Sequence, residues 1–188
     1  ELEDKDLITH YFKHHTSRSC ERTFVNVYLW ARFYHVKFAE VEHTLVFRTE
    51  DEDGFSFAYP AGEPENVKKA LDVLMVYSKE RGVPFLMYTV TPDNFEYLEK
   101  WYPGRFEIEY VEGDADYVYE SEKLATLSGK KLHSKRNHIN KFKIVYADRW
   151  SYEPISEDNL EECVQTGLKW RNENGCEEDE EKNAELCV

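Results

Sequence analysis

Leu7, Ile8, Tyr11 and Phe12 recur at i, i+1, i+4 and i+5, the spacing of a short amphipathic helix. Thr23 stands where an N-cap would open a second helix, with Val25, Leu29 and Phe33 expected on one face. Beyond His35 the period changes to two. Val36, Phe38 and Val41, then Leu45-Val46-Phe47, then Phe55, Phe57 and Tyr59 alternate with polar positions and predict three antiparallel strands. The acidic turn over 50–54 separates the last two.

Pro64 opens a helix whose buried face is Val67, Ala70, Leu71, Leu74 and Tyr77-Ser78, ending at Gly82. The unbroken apolar run over 85–90 predicts a strand buried on both faces, central in its sheet. Thr91-Pro92-Asp93 starts another helix through Trp101, stopped by Pro103-Gly104. Phe106, Ile108 and Tyr110, then Tyr117-Val118-Tyr119, alternate again and predict two closing strands. Residues 124–146 are helical in pattern, 152–155 read as a short strand, and Ser156-Glu157-Asp158 caps a helix towards Arg171. The acidic run over 177–181 sits where carboxylates would complement one more helix N-terminus. The order is α+β. After Tyr152 the pattern offers helices with hardly any sheet to pack on, so a second unit is expected to begin there without being completed.

Charge changes the picture along one stretch. The 188 residues hold 24 Lys and Arg against 38 Asp and Glu, a formal net charge of −14, which repels nucleic acid and anionic membrane at long range. Yet 123–146 contains no acidic residue and carries Lys123, Lys130, Lys131, Lys135, Arg136, Lys141 and Lys143. With 41% apolar residues and only 8 Gly and 6 Pro, the chain is neither disordered nor collagen-like. The four cysteines show no C-x-x-C pair and fit thiols of a reducing compartment. No signal-peptide pattern opens the sequence, and the longest apolar run, 83–90, is far too short to span a bilayer, so the cytoplasm is the expected location. The first residue is Glu1 rather than Met, which leaves room for an upstream segment.

The order of elements is that of an acetyltransferase-like (GNAT) fold, and the wording of one block is more specific. Asp116-Tyr117-Val118-Tyr119, Leu124-Ala125-Thr126-Leu127-Ser128-Gly129-Lys130-Lys131 and the segment from His133 to Phe142 run together, with Phe24-Val25-Asn26 and Trp30 upstream. This block resembles the uncharacterised family related to the C-terminal domain of phosphatidylglycerol lysyltransferase, in which two GNAT-like units are fused in tandem. The resemblance spans roughly 3–172. It implies a first GNAT-like domain over 1–122, a basic linking helix over 123–150 and the start of an incomplete second GNAT-like domain over 151–188. It further implies an acyl- or aminoacyltransferase taking an aminoacyl-tRNA or another activated acyl donor, with an unspecified small acceptor.

The basic block can also be read from its residues. On a helix, Leu132, Ile139, Phe142 and Tyr146 line an apolar side, while His133, Arg136, Asn137 and Asn140 form a stripe at i, i+3, i+4 and i+7. Together with Lys131 these are the candidate substrate-binding residues, able to hold a phosphate or carboxylate, with Arg136 as a bidentate fork. The plainer alternative is a solvated linking helix whose Asn and His side chains tie down loops. A non-catalytic module that binds RNA or an anionic ligand, or a scaffold for a missing catalytic half, remains an open alternative to the enzyme. No catalytic residue is assigned, and no metal is expected: His14 and His15 have no suitably spaced partner. No cofactor is expected either, because Thr91-Pro92-Asp93-Asn94 lacks the glycines that cradle a pyrophosphate. DNA is not an expected partner.

Overall fold

The computed structural model describes residues 1–13, 17–52 and 54–173. His14, His15 and the acidic run over 177–181 lie outside them. The chain divides into two compact units, one containing Glu1–Tyr110 and the other Val111–Trp170.

The first unit is a mixed sheet covered on both faces by helices. α1 (Lys5–Lys13) and α2 (Phe24–Trp30) precede a meander of β1 (Lys37–Val41), β2 (Thr44–Asp51) and β3 (Gly54–Ala58). Lys37 pairs with Arg48 and Val41 with Thr44 in the first antiparallel ladder, and Arg48 with Phe57 in the second. α3 (Pro64–Glu80) then crosses over to β4 (Met87–Tyr88), which lies parallel to β3, giving the order β1-β2-β3-β4. α4 (Pro92–Trp101) follows.

Alternation along the strands sorts side chains into two cores. Leu45, Phe47 and Ala58 face one side and pack with Ile8 and Phe12 of α1, flanked by Phe24 and Val27 of α2. Val46 and Phe57 face the other side with Leu74 of α3, beside a cluster of Tyr59, Val67, Leu71, Leu98 and Tyr102. The helix starts follow local chemistry. Thr23 Oγ1 accepts from the Asn26 amide, and Pro64 occupies the first turn of α3. At α4 the Thr91 hydroxyl accepts from the Asn94 amide while Asn94 Oδ1 accepts from the Thr91 amide, a capping box that satisfies the first turn from within the chain.

Several expectations are overturned. The 85–90 run is not a central strand. Only Met87 and Tyr88 join the ladder, at the sheet edge, because Pro84 precedes the run and Thr89 adopts φ +55°, outside strand geometry. Residues 106–110 and 117–119 form no strand, and Ile108, Tyr110, Tyr117, Val118 and Tyr119 are exposed: the alternation is present but among the described residues no partner strand meets it. The 152–155 segment is likewise not a strand. On α2 the packed face is Phe24 and Val27, and Val25 is exposed, since the helix ends at Trp30 before Phe33 can join its face.

The second unit holds α5 (Ser121–Thr126), α6 (His133–Tyr146) and most of α7 (Leu160–Glu173). The helix expected over 123–150 is therefore interrupted. Leu127 turns left-handed at φ +49°, Gly129 follows at φ +89°, and a 3₁₀ turn over Lys130–Leu132 leads into α6. Among the described residues of this unit none is buried. No helix among the described residues is long and apolar enough to cross a membrane.

Candidate functional site

The basic stretch folds around the break between α5 and α6. α5 closes locally: Thr126 Oγ1 donates to the Glu122 carbonyl at 2.8 Å, and Lys123 pairs with Glu120 at 2.9 Å. The left-handed Leu127 and the positive φ of Gly129 then turn the chain, a conformation glycine adopts without a Cβ penalty. Arg136, one turn into α6, reaches back across this turn. Its Nη1 donates to the carbonyl of Leu127 and, at 3.1 Å, to that of Gly129.

α6 places His133, Arg136, Asn137 and Asn140 on one stripe, as their spacing predicts, with Lys131 in the 3₁₀ turn just before it. Arg136 is half-buried by the turn it holds, whereas the other four are exposed. Asn137 Nδ2 lies 3.4 Å from His133 Nδ1; with the amide donating, the imidazole proton sits on Nε2. Among the described residues, Asn140 and Lys131 make no side-chain hydrogen bond. Residues 123–146 contribute Lys130, Lys131, Lys135, Lys141 and Lys143 and no carboxylate, so this segment itself carries only positive charge. The first turn of α6 contains no acidic residue and its N-terminus has no side-chain cap.

The apolar side of α6 is not sealed by the described residues. Ile139 is 43% exposed, while Phe142 packs against the rings of Tyr146 and Trp150 at centroid distances of 4.7 and 5.6 Å. Among the described residues no group of three or more His, Cys, Asp or Glu side chains is placed to hold a metal ion. Sequence reasoning passed over Arg22 in the first unit, a charged side chain that is buried although no local pattern marks it.

The family described as "Phosphatidylglycerol lysyltransferase, C-terminal" matches residues 12–186. The chain belongs to this family. A solved structure of a conserved protein of unknown function from Bacteroides thetaiotaomicron VPI-5482 is similar at a TM-score of 0.86 and 32% identity, covering 99% of this chain and 62% of that one. The uncharacterized protein MYCGA3080 of Mycoplasmoides gallisepticum is 31% identical over 90 residues, 47% of this chain and 29% of that protein. The chain thus spans about three fifths of the solved relative's length and, in its aligned part, under a third of the curated one.

Proposed function

We propose that this lysyltransferase-C-terminal-like chain is part of a tandem GNAT-like acyl- or aminoacyltransferase, and that α6 with the turn before it holds the phosphate-bearing end of the donor, such as the acceptor end of an aminoacyl-tRNA. The observation that carries the reading is an exposed α6 with basic and no acidic residues, on a chain of net charge −14 in this family. Lys131, His133, Asn137 and Asn140 supply donors along one face. Arg136 holds the turn with Nη1 and contributes its positive charge.

The chemistry is attack by an amine or hydroxyl of the acceptor on the activated carbonyl. The bond between that carbonyl carbon and its leaving oxygen breaks as the new bond forms, and the acceptor's proton passes to the leaving oxygen. The chain's contribution is positioning of the donor through its phosphates, which makes the attack effectively intramolecular. Cytoplasmic location belongs to this reading, because charged tRNA is found there.

The Arg136 bonds to Leu127 and Gly129 favour a second reading, in which the stripe serves the protein's own turn and the unit is a non-catalytic module or scaffold. Filter binding of tRNA to the full-length protein over a salt series separates the two. With about six phosphate contacts, affinity should fall by roughly 10³ between 50 and 200 mM salt. Absence of RNA affinity at the lowest salt overturns donor binding by α6.

A further inference from the structure

Arg22 closes the 3₁₀ turn Cys20–Arg22 ahead of α2, yet only 8% of it is exposed. An arginine cannot shed its charge to suit such a place, and a buried cation without a counter-charge is among the costliest features of a fold. Its Nη2 donates to the Tyr59 carbonyl at 2.6 Å and lies 3.3 Å from Thr89 Oγ1. The guanidinium carbon sits 5.8 Å from the centre of the Phe12 ring. Among the described residues no carboxylate forms an ion pair with it, and Nε and Nη1 make no hydrogen bond within the chain and are not sealed from solvent. Glu21, its neighbour in sequence, is exposed and forms no ion pair with it, and its carboxylate acts on the guanidinium only at longer range. Burial pushes the guanidinium below its ordinary value, the sign of a charge held out of water.

The position is also informative. Tyr59 follows the last residue of β3 and Thr89 the last residue of β4, so Arg22 bridges the carboxyl ends of the parallel strand pair. In open sheets with parallel strands, ligands gather at such ends. Thr89 is a β-branched residue held at φ +55°, a conformation that persists only where the surroundings impose it.

We propose that Arg22 is a binding site for an oxyanion, the carboxylate or phosphate of a small molecule, with Tyr59 and Thr89 fixing the guanidinium through Nη2 and leaving Nε and Nη1 to donate to the ligand. The site lies wholly in the first unit and does not rest on the role of α6. Two bonds from one nitrogen to neutral acceptors orient the side chain, and the anion supplies a counter-charge in direct contact with it.

The test uses the full chain in chloride-balanced buffers of constant ionic strength, titrated separately with inorganic phosphate and with succinate. The melting temperature of the unaltered protein should rise by about 3–5 °C once either probe reaches about ten times its dissociation constant. Arg22→Met, which keeps the length of the side chain and removes the charge, should lose this response and melt no lower than the parent in anion-free buffer. A double variant, Lys135→Ala with Lys141→Ala, should keep it, which separates this site from α6. Response to phosphate alone assigns the site to phosphates, and to succinate alone to carboxylates. An equal response from Arg22→Met and the parent overturns the proposal, as does no response in the parent. Should Arg22→Met fail to fold, nitrogen-15 spectra of the parent decide: the Arg22 Nε–H resonance must move saturably with a probe, and a stationary resonance rules the site out.

Discussion

Arg136 donates from Nη1 to the carbonyl of Leu127, nine residues earlier, and so fixes the left-handed turn that separates α5 from α6. A charged donor to a carbonyl is worth about 1.5–3 kcal/mol when part-buried. Arg136→Ala should therefore speed hydrogen exchange at the amides of Gly129, Lys130 and Lys131. Lys135→Ala, at an exposed position, should leave that exchange unchanged and lower the salt slope of RNA binding by about one. Unaltered exchange in Arg136→Ala would show that the tie does not hold the turn.

Tyr102 and Asp72 join α4 to α3. The Tyr102 hydroxyl donates to Asp72 Oδ1 at 2.7 Å and to the Lys68 carbonyl at 3.2 Å, while Lys68 Nζ lies 3.1 Å from Asp72 Oδ2. Burial opposes ionisation of Asp72, but the bonds from Tyr102 and Lys68 outweigh it and hold its carboxyl below the ordinary value. The stability this adds is present above the usual carboxylate range and is lost as the pH falls through the lowered value. Tyr102→Phe should cost about 1 kcal/mol near neutrality and less in acid. Urea denaturation of both proteins at the two pH values checks this, and a cost that does not shrink in acid counts against the tie.

Alkali should act through buried phenols. Burial pushes Tyr59 up to about 12, and Tyr88 and Tyr102 are raised for the same first reason. An unfolded tyrosine ionises near 10, so the stabilisation is complete below about pH 10 and disappears as the pH climbs towards the folded-state value. Tyr59→Phe should move the alkaline unfolding midpoint upwards, followed by phenolate absorbance and circular dichroism together.

The core makes two further positions measurable. Leu71 is fully buried, and Leu71→Ala should cost about 2–5 kcal/mol. A Cβ at Gly62 would come within 2.8 Å of Thr44 Cγ2, on a side chain that is itself fully buried. Gly62→Ala should cost about 1–3 kcal/mol, and thermal melts that leave it at parental stability would show that Thr44 can yield.

How much of this was legible beforehand depends on whether the cause is local. Thr23, Pro64 and Thr91 announce their helices because a cap or a proline acts within one turn of itself. The meander is legible from Leu45 to Tyr59 because alternation and a turn suffice for hairpins. The 106–110 and 117–119 alternations look the same on paper, but a strand needs a neighbour, and among the described residues none meets them. At the candidate site, spacing alone puts His133, Arg136, Asn137 and Asn140 on one stripe. It does not reveal that Leu127 breaks the helix or that Arg136 turns back towards it. Ile139, expected on an apolar side, is exposed among the described residues, because spacing tells which residues share a face and not what covers it. Arg22 is invisible in sequence because its burial comes from β3 and β4, which arrive tens of residues later.

The parallel pairing of β3 with β4 also sets an order of events. β1, β2 and β3 meet through short turns, whereas β4 reaches β3 only after α3 has crossed over. Local closures are fast and distant ones slow. In refolding, the meander should gain amide protection first and β4 later. Thr89 and Tyr59 close around Arg22 only at that second step, so the arginine is solvated through most of the search and is desolvated by one of the last strands to arrive. An oxyanion present during refolding would then act on the final docking step, leaving the early hairpin phase unchanged while slowing unfolding.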